Sequence, residues 1–530
     1  MLRLNSRHSL GSPPSVIISL LSAILGGLLL DRGFPDSNIW IASLLAMLLI
    51  FWSAKGLSFS AALIIGAVCG FTFFGVLIWW LTIYLGLVPW ISLTLAQVFF
   101  FSLGFGLIAL VWRYAGAHWK SLAGRLLLVP ALVAAAWCAR EAASTRYPFG
   151  GFAWGRLSQS QSEGPLAPIA SWFGTAGTSF VIAFFVAVLI ALAAEPRISL
   201  SKKLSAGLAV YLALTLLPNW PVEESGSLRI LAVQGNADAG LFADYDRGDN
   251  LNDHFSATEP VFGEKVDLVV WPENASDIDP LRSPEAGAVL SEVTRRMNAP
   301  LVVGAITKTG EETFNSMLLW DTDTNPNDPI LRDQYDKIHP VPFAEYLPWR
   351  NFFYPLAPDL FEMVPRDYSF GTRDPIFEIA GVPAGVAICF DIVDDSILRE
   401  IMAGQAQLIL APTNNADFGR TDQSIQQLSI ARLRAIETGR SVVNISTVGT
   451  SSIIGPRGEN LGILPTYTEG YLLTDVPLAT HTTLATLIGG KLEFAVVIFF
   501  AAGLGIPLFF CRRPLNSREF NFSDYDDLQL

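Results

Sequence analysis

Val386-Ala387-Ile388-Cys389-Phe390-Asp391 is an apolar, β-prone run that ends abruptly at a lone thiol, with acidic residues after it. It predicts a buried strand that delivers Cys389 to its C-terminal end. Open α/β sheets hold their chemistry in the crevice outside such strand ends. Two other stretches share this build. Val266 to Val270 runs into Trp271-Pro272-Glu273-Asn274, and Asp336-Lys337-Ile338-His339-Pro340 occupies a polar break ahead of Pro342-Phe343-Ala344-Glu345-Tyr346. A carboxylate, an ammonium and a thiol so placed can share one pocket.

Working outward, short apolar runs recur through the surrounding segment: Leu228–Val233, Val266–Val270, Leu301–Ile306, Ser316–Trp320, Val382–Ile388, Leu408–Leu410, Val442–Ile445, Ser452–Ile454 and Tyr471–Leu473. They are rich in β-branched residues and bounded by Gly, Pro, Asn and Asp, the mark of strands. Helical patterns alternate with them at Glu285 to Met297 and at Ser424 to Thr438, where Ile425, Leu428 and Leu433 form a stripe and Gly439 is a natural stop. Strand–helix alternation predicts a layered α/β domain over residues 222–487. Pro218 to Gly226 forms the linker into it.

The flanks differ. Of 530 residues, 51% are apolar and only 16% charged, against a usual charged share of about 25%. The apolar excess fills roughly the first 220 residues and a piece near 488–510, which predicts a membrane protein. About eight spans are expected, near 14–31, 38–53, 59–84, 90–112, 124–139, 168–194, 204–219 and 488–511. The expected domains are 1–221 with seven helices, 222–487, an eighth helix at 488–511, and an acidic tail at 512–530. With the N-terminus in the cytoplasm, the inner segments carry twelve Lys and Arg, and the outer loops carry four: Arg32, Arg140, Arg146 and Arg156. That bias puts the α/β domain on the outer face of the membrane. The net charge of −13 lies mostly in that domain and argues against nucleic acid as a partner. Of the four cysteines, Cys69, Cys138 and Cys511 lie in or beside apolar segments. Cys389 therefore has no disulfide partner within its domain, and neither CxxC nor a Cys/His metal spacing is present. No metal and no organic cofactor is implied, and nothing demands more than a monomer.

A thiolate is the reactive form of cysteine. A carboxylate can take the thiol proton, and an ammonium can stabilise both the thiolate and the oxyanion formed on a carbonyl. Glu273 as base, Lys337 as oxyanion donor and Cys389 as nucleophile would make and discharge a thioester. Each also has a structural reading: a buried inert thiol, a helix N-cap carboxylate, a solvated loop charge.

The flanking words narrow this choice. Trp271-Pro272-Glu273-Asn274, Tyr335 to Tyr346, and Ile388-Cys389-Phe390-Asp391 resemble the three catalytic segments of the nitrilase superfamily, in order. With spans before and after the domain, the chain is similar to one branch, the apolipoprotein N-acyltransferases. Val233-Gln234-Gly235-Asn236, Ala431 to Glu437 and Ile454-Gly455-Pro456-Arg457-Gly458 are also similar to family segments. The resemblance implies an αββα sandwich and a Glu273–Lys337–Cys389 triad assisted by Glu345. It implies a ping-pong reaction at a bacterial inner (cytoplasmic) membrane. A phospholipid acyl donor loads Cys389, and the amine of a diacylglyceryl-cysteine lipoprotein accepts the acyl group. The alternative is a membrane-tethered amidase that hydrolyses its acyl-enzyme; a third reading is a transporter or scaffold with an inactive domain. Phe390-Asp391 stands where the family usually has Tyr-Glu, and Asn415 falls in Thr413-Asn414-Asn415-Ala416-Asp417-Phe418-Gly419, a variant of a family word. Phe242 is the candidate stand-in for a family tryptophan. The aromatic run Leu347 to Leu356 is expected either to form an arm that dips into the interface and gates lipid entry or to pack as a loop over the core.

Overall fold

The computed structural model describes residues 13–240, 243–244, 246–322, 329–363 and 367–510. Phe242, Cys511 and the tail 512–530 lie outside the described residues.

The N-terminal region is a bundle of apolar helices: α1 (Val16–Arg32), α2 (Trp40–Ser53), α3 (Phe59–Leu77), α4 (Leu87–Leu110), α5 (Val129–Ser144), α6 (Ile169–Ala194) and α7 (Leu200–Thr215). Ser15 and Ser58 cap α1 and α3, accepting from the backbone N–H of Ile18 and Ala61. Among the described residues, five helical stretches are long and apolar enough to cross a membrane: Phe59–Leu77, Leu87–His118, Gly124–Ser144, Ile169–Ala194 and Leu484–Phe510. Helices α1, α2 and α7 have 17, 14 and 16 residues, fewer than the ~20 a straight crossing takes.

Two expectations for this region change. The stretch 59–84 is not one helix: α3 stops at Leu77, and a separate short helix covers Leu81–Leu85. The break turns Trp80 toward the α/β domain, where its indole donates to Gln426. Arg140 is not in an outer loop. It lies in α5, buried, 3.5 Å from Glu141 and 4.3 Å from the centre of the Trp137 ring. A carboxylate and an aromatic face satisfy the guanidinium, so the helix continues through it.

The α/β domain contains two six-stranded sheets. The first has β1 (Glu224–Gln234), β2 (Leu268–Val270), β3 (Leu301–Thr309), β4 (Glu312–Thr322), β5 (Pro329–Asp336) and, on its far edge, β12 (Gly470–Ala479), in the order β12-β1-β2-β3-β4-β5. The second has β6 (Ile376–Ile379), β7 (Val382–Val386), β8 (Leu408–Thr413), β9 (Ser441–Ser446), β10 (Ser452–Ile454) and β11 (Asn460–Ile463), in the order β11-β10-β9-β8-β7-β6. The central trios β1-β2-β3 and β7-β8-β9 are parallel. Alternation along the strands builds the layers. Ile230, Val270 and Val302 meet Val386, Leu410 and Val443 between the sheets. Leu231, Val269 and Val303 face the other way, onto α8 (Asp249–Thr258) and α9 (Pro284–Met297). Ile409, Ala411 and Val442 face α10 (Asp395–Ala403) and α11 (Gln423–Thr438). The result is an αββα sandwich. The chain then leaves through α12 (Leu484–Phe510).

Helix α11 has a layer on each side. The sequence shows one apolar stripe, yet thirteen of its sixteen residues are buried. Leu428, Ala431 and Ala435 belong to a core cluster that runs without interruption from the second sheet into the membrane helices. The α/β domain therefore rests on the bundle through α10 and α11.

Candidate active site

Glu273 follows β2, Lys337 follows β5, and Cys389 follows β7, so all three stand just past the C-terminal ends of strands. Glu273 reaches its place because β3 comes very close behind it. A Cβ on Gly304 would lie 2.4 Å from the Pro272 carbonyl oxygen and 2.6 Å from Glu273 Cα, so only glycine fits. Cys389 opens a turn of 3₁₀ helix, Cys389–Val393, and has φ of +51°. A non-glycine residue in the left-handed region stores strain that its surroundings must hold in place.

The side chains converge. Lys337 Nζ lies 3.7 Å from Glu273 Oε1 and 2.9 Å from Glu345 Oε2. Asn315 Nδ2 donates to both carboxylates, at 2.7 Å to Glu273 Oε1 and 3.1 Å to Glu345 Oε1. The backbone N–H of Asn414 donates to Glu273 Oε2 at 2.7 Å, and that of Val341 to Glu345 Oε2 at 2.6 Å. Thr413 Oγ1 donates to Cys389 Sγ at 3.3 Å. Glu273 and Lys337 are only 4% and 2% exposed.

Burial sets the proton positions. It pushes the Cys389 thiol up to about 12, with Glu273 adding to the rise and Lys337 opposing it. It also raises Glu273 above the usual carboxylate range against the pull of Lys337. Burial alone would depress Lys337, but Glu345 and Glu273 together hold its ammonium well above the ordinary value. The arrangement puts a weakly acidic thiol beside a carboxylate of raised basicity and a held positive charge.

The other sequence candidates take different places. Asp391 faces away from the pocket. Its Oδ2 accepts from the Tyr335 hydroxyl at 2.9 Å and from the Ile388 N–H at 3.2 Å, so it braces the cysteine turn. Phe390 stacks on an aromatic wall from the membrane region, 6.4 Å from the Trp154 ring and 6.3 Å from Phe152. Asn415 is buried behind the site and bonded to Gln423, Gln427 and Ser446. Nothing in the sequence singled out Asn315 or Gln427, and Thr413 and Asn414 stood out only as neighbours of Asn415 in one quoted word. Isolated polar residues on a strand or a helix carry no motif until the fold shows what they face.

A cavity of about 400 Å³ adjoins the site, between the loop that follows α5 and the α/β domain, with Arg146, Phe149, His339, Tyr346 and Phe390 in its lining. Phe149 packs against Phe343, Trp349 and Phe353, which ties the aromatic run to the membrane loop. Trp349 and Phe352 remain 70% and 62% exposed. Among the described residues, no group of three or more His, Cys, Asp or Glu could hold a metal ion.

Comparison with known proteins follows the same division. Residues 26–188 match the apolipoprotein N-acyltransferase N-terminal domain, and residues 229–486 match the carbon–nitrogen hydrolase domain. The apolipoprotein N-acyltransferase of Mycolicibacterium smegmatis is 31% identical, over 92% of this chain and 84% of its own. Those of Shewanella oneidensis and Pseudomonas aeruginosa are 26% and 27% identical, over 89% and 86% of this chain and 92% and 89% of their own. Among solved structures, an amidase from Nesterenkonia is 20% identical, over 48% of this chain and 92% of its own, with a TM-score of 0.37. With one such relative aligned from the membrane helices through the α/β domain, the chain belongs to the apolipoprotein N-acyltransferase family.

Proposed function

We propose that the chain acylates lipoproteins as its family does, with Glu273, Lys337 and Cys389 as the triad and a membrane phospholipid as the donor. The observation that carries the reading is the Lys337 ammonium held between Glu273 and Glu345 beside a strained, half-buried cysteine. In the first half-reaction Sγ attacks the ester carbonyl and Glu273 takes the thiol proton. Lys337 stabilises the oxyanion. The ester C–O bond breaks, Glu273 returns the proton to the departing oxygen, and a lysophospholipid leaves. In the second half-reaction the free amine of the lipoprotein's diacylglyceryl-cysteine attacks the thioester. Glu273 takes the amine proton, the C–S bond breaks, and the sulfur recovers a proton as the amide leaves. Glu345 is too tightly bound to Lys337 and the Val341 N–H to travel; its work is to orient the ammonium.

The placement we propose is a bacterial cytoplasmic membrane, with the α/β domain (222–487) on its outer face and about eight spans around it. The loop charges support this orientation. The cavity between Arg146 and Phe390 supports lipid entry at the junction, and the exposed Trp349 and Phe352 suit an arm that dips into the interface. We take the chain to act as a monomer. The amidase alternative is not favoured, because the relatives named as N-acyltransferases align with the membrane helices as well as with the catalytic domain.

Intact mass after incubation with phospholipid tests the mechanism. The protein should gain one fatty acyl group, and Cys389→Ala should gain none while melting near the parent temperature. Added lipopeptide should appear as N-acylated product. Acyl transfer undiminished in Cys389→Ala sinks the mechanism, and free fatty acid as the only product returns the amidase.

A further inference from the structure

A chain of hydrogen bonds behind Cys389 has one direction throughout. Ser446 Oγ donates to Asn415 Oδ1 at 2.9 Å, which leaves Asn415 Nδ2 to donate onward. It donates to Gln423 Oε1 at 2.7 Å and to Gln427 Oε1 at 3.0 Å. Gln423 Nε2 also donates to Gln427 Oε1, at 3.0 Å. Two donors on its oxygen settle which way the Gln427 amide points. Its Nε2 faces the active site, 3.0 Å from Thr413 Oγ1 and 3.8 Å from Cys389 Sγ. Thr413, having accepted a bond, turns its own hydrogen to the sulfur at 3.3 Å. All five polar residues behind the sulfur are at most 5% exposed, so water does not compete. Donor chains of this kind polarise one another in a low dielectric.

We infer that Thr413 and Gln427 are the donors that stabilise and aim the Cys389 thiolate. Thr413 touches the reacting atom, and Gln427 is a positioning residue that also reinforces it. The division of labour has a physical logic. A lysine that stabilised the thiolate would have to leave it for the oxyanion as the bond forms. Neutral donors behind the sulfur share the first task with the Lys337 charge and stay in place throughout, so Lys337 can keep its geometry between Glu273 and Glu345 as the oxyanion forms. Thr413 is among the groups that oppose the burial-driven rise of the thiol. The inference rests on Cys389 as the nucleophile, and adds what makes it reactive.

The test is alkylation of Cys389 by iodoacetamide across a pH series, on the full-length protein in detergent. The thiol gives its proton to solvent, and the thiolate so formed displaces iodide and forms an S–C bond. Mass spectrometry of the Cys389 peptide gives the midpoint. A hydrogen bond to a charged group is lost in Thr413→Val, so its midpoint should rise by about one pH unit. Gln427→Met should shift the same way by less, and Thr413→Ser, which keeps the hydroxyl, should restore the parent midpoint. An unchanged or lowered midpoint in Thr413→Val overturns the inference. Should that variant not fold, an unchanged midpoint in Gln427→Met overturns it equally. Alkylation needs no lipid, so this failure would leave acyl-enzyme formation untouched, whereas parent protein that gains no acyl group would fail the mechanism instead.

Discussion

Glu273 holds a network together, and in the proposed mechanism it also moves a proton; a single substitution separates the two. Glu273→Gln keeps a carbonyl oxygen for Asn315 or the Asn414 N–H but cannot accept the thiol proton. The acyl-transfer rate should fall about 10²–10⁴-fold, with the melting temperature close to that of the parent. Asp391 is the opposite case, a carboxyl near Cys389 that acts on stability. Burial pushes it from 3.8 up to about 7. The folded state therefore binds that proton more tightly than the unfolded chain does. Its stabilising contribution is complete below about pH 4 and is lost as pH rises through 7. Asp391→Asn removes the titration, so melting temperatures measured from pH 4 to 8 should decline less steeply in this variant than in the parent. An identical slope in the two proteins would show that Asp391 does not titrate in that range.

At the scale of elements, the site depends on how closely strands approach one another. Gly304 lets β3 pass under the Pro272–Glu273 backbone, and its N–H donates to the Pro272 oxygen at 3.1 Å. Gly304→Ala forces the two apart. Overpacking of this kind costs about 1–3 kcal/mol, and displacement of a catalytic group by about 1 Å can cost 10²-fold in rate. A thermal melt together with an acyl-transfer assay should therefore show a modest loss of stability and a large loss of rate. The elements the sequence hides are instructive. Strand β5 carries Arg332, Asp333 and Gln334 and pairs on one side only, so it lacks an apolar run. Strands β6 and β11 have four residues each and lie at the two edges of the second sheet. Helices α8 and α10, of 10 and 9 residues, are too short for their stripes to stand out. Each becomes regular because its neighbour supplies the missing partner.

On the scale of the whole molecule, one amide joins the two regions. Gln426 Oε1 accepts from the indole N–H of both Trp80, at 3.1 Å, and Trp154, at 2.7 Å, while its Nε2 donates to the Leu77 carbonyl at 3.2 Å. Gln426→Leu orphans two buried donors and a carbonyl. Each orphaned group costs about 1–3 kcal/mol, so thermal unfolding should move down by many degrees. Proteolysis should then cut the linker at 218–223 faster than in the parent. Beside this latch, Asp395 receives Arg156 and Arg434, each at 2.7 Å, and Arg434 also donates to the carbonyls of Ile392 and Val393. The loop that carries Arg156 is thereby coupled through an ionic cluster to the turn that begins with Cys389. The docking of the two regions and the position of Cys389 share these contacts.

The sequence alone determined the division into apolar helices and an α/β domain, and the order of the three words that end in Glu273, Lys337 and Cys389. Those are local properties: hydropathy over about 20 residues, and a strand that stops where its chemistry begins. Only the tertiary structure decided who meets whom. Helix α11 has a sheet on one side and a membrane bundle on the other, so its polar residues are buried in opposite directions. Gln426 serves the bundle and Gln427 serves the sulfur, although they are adjacent in the chain. Helical geometry turns neighbours about 100° apart, and which direction is the active site depends on the layers packed around the helix, information that no local pattern carries.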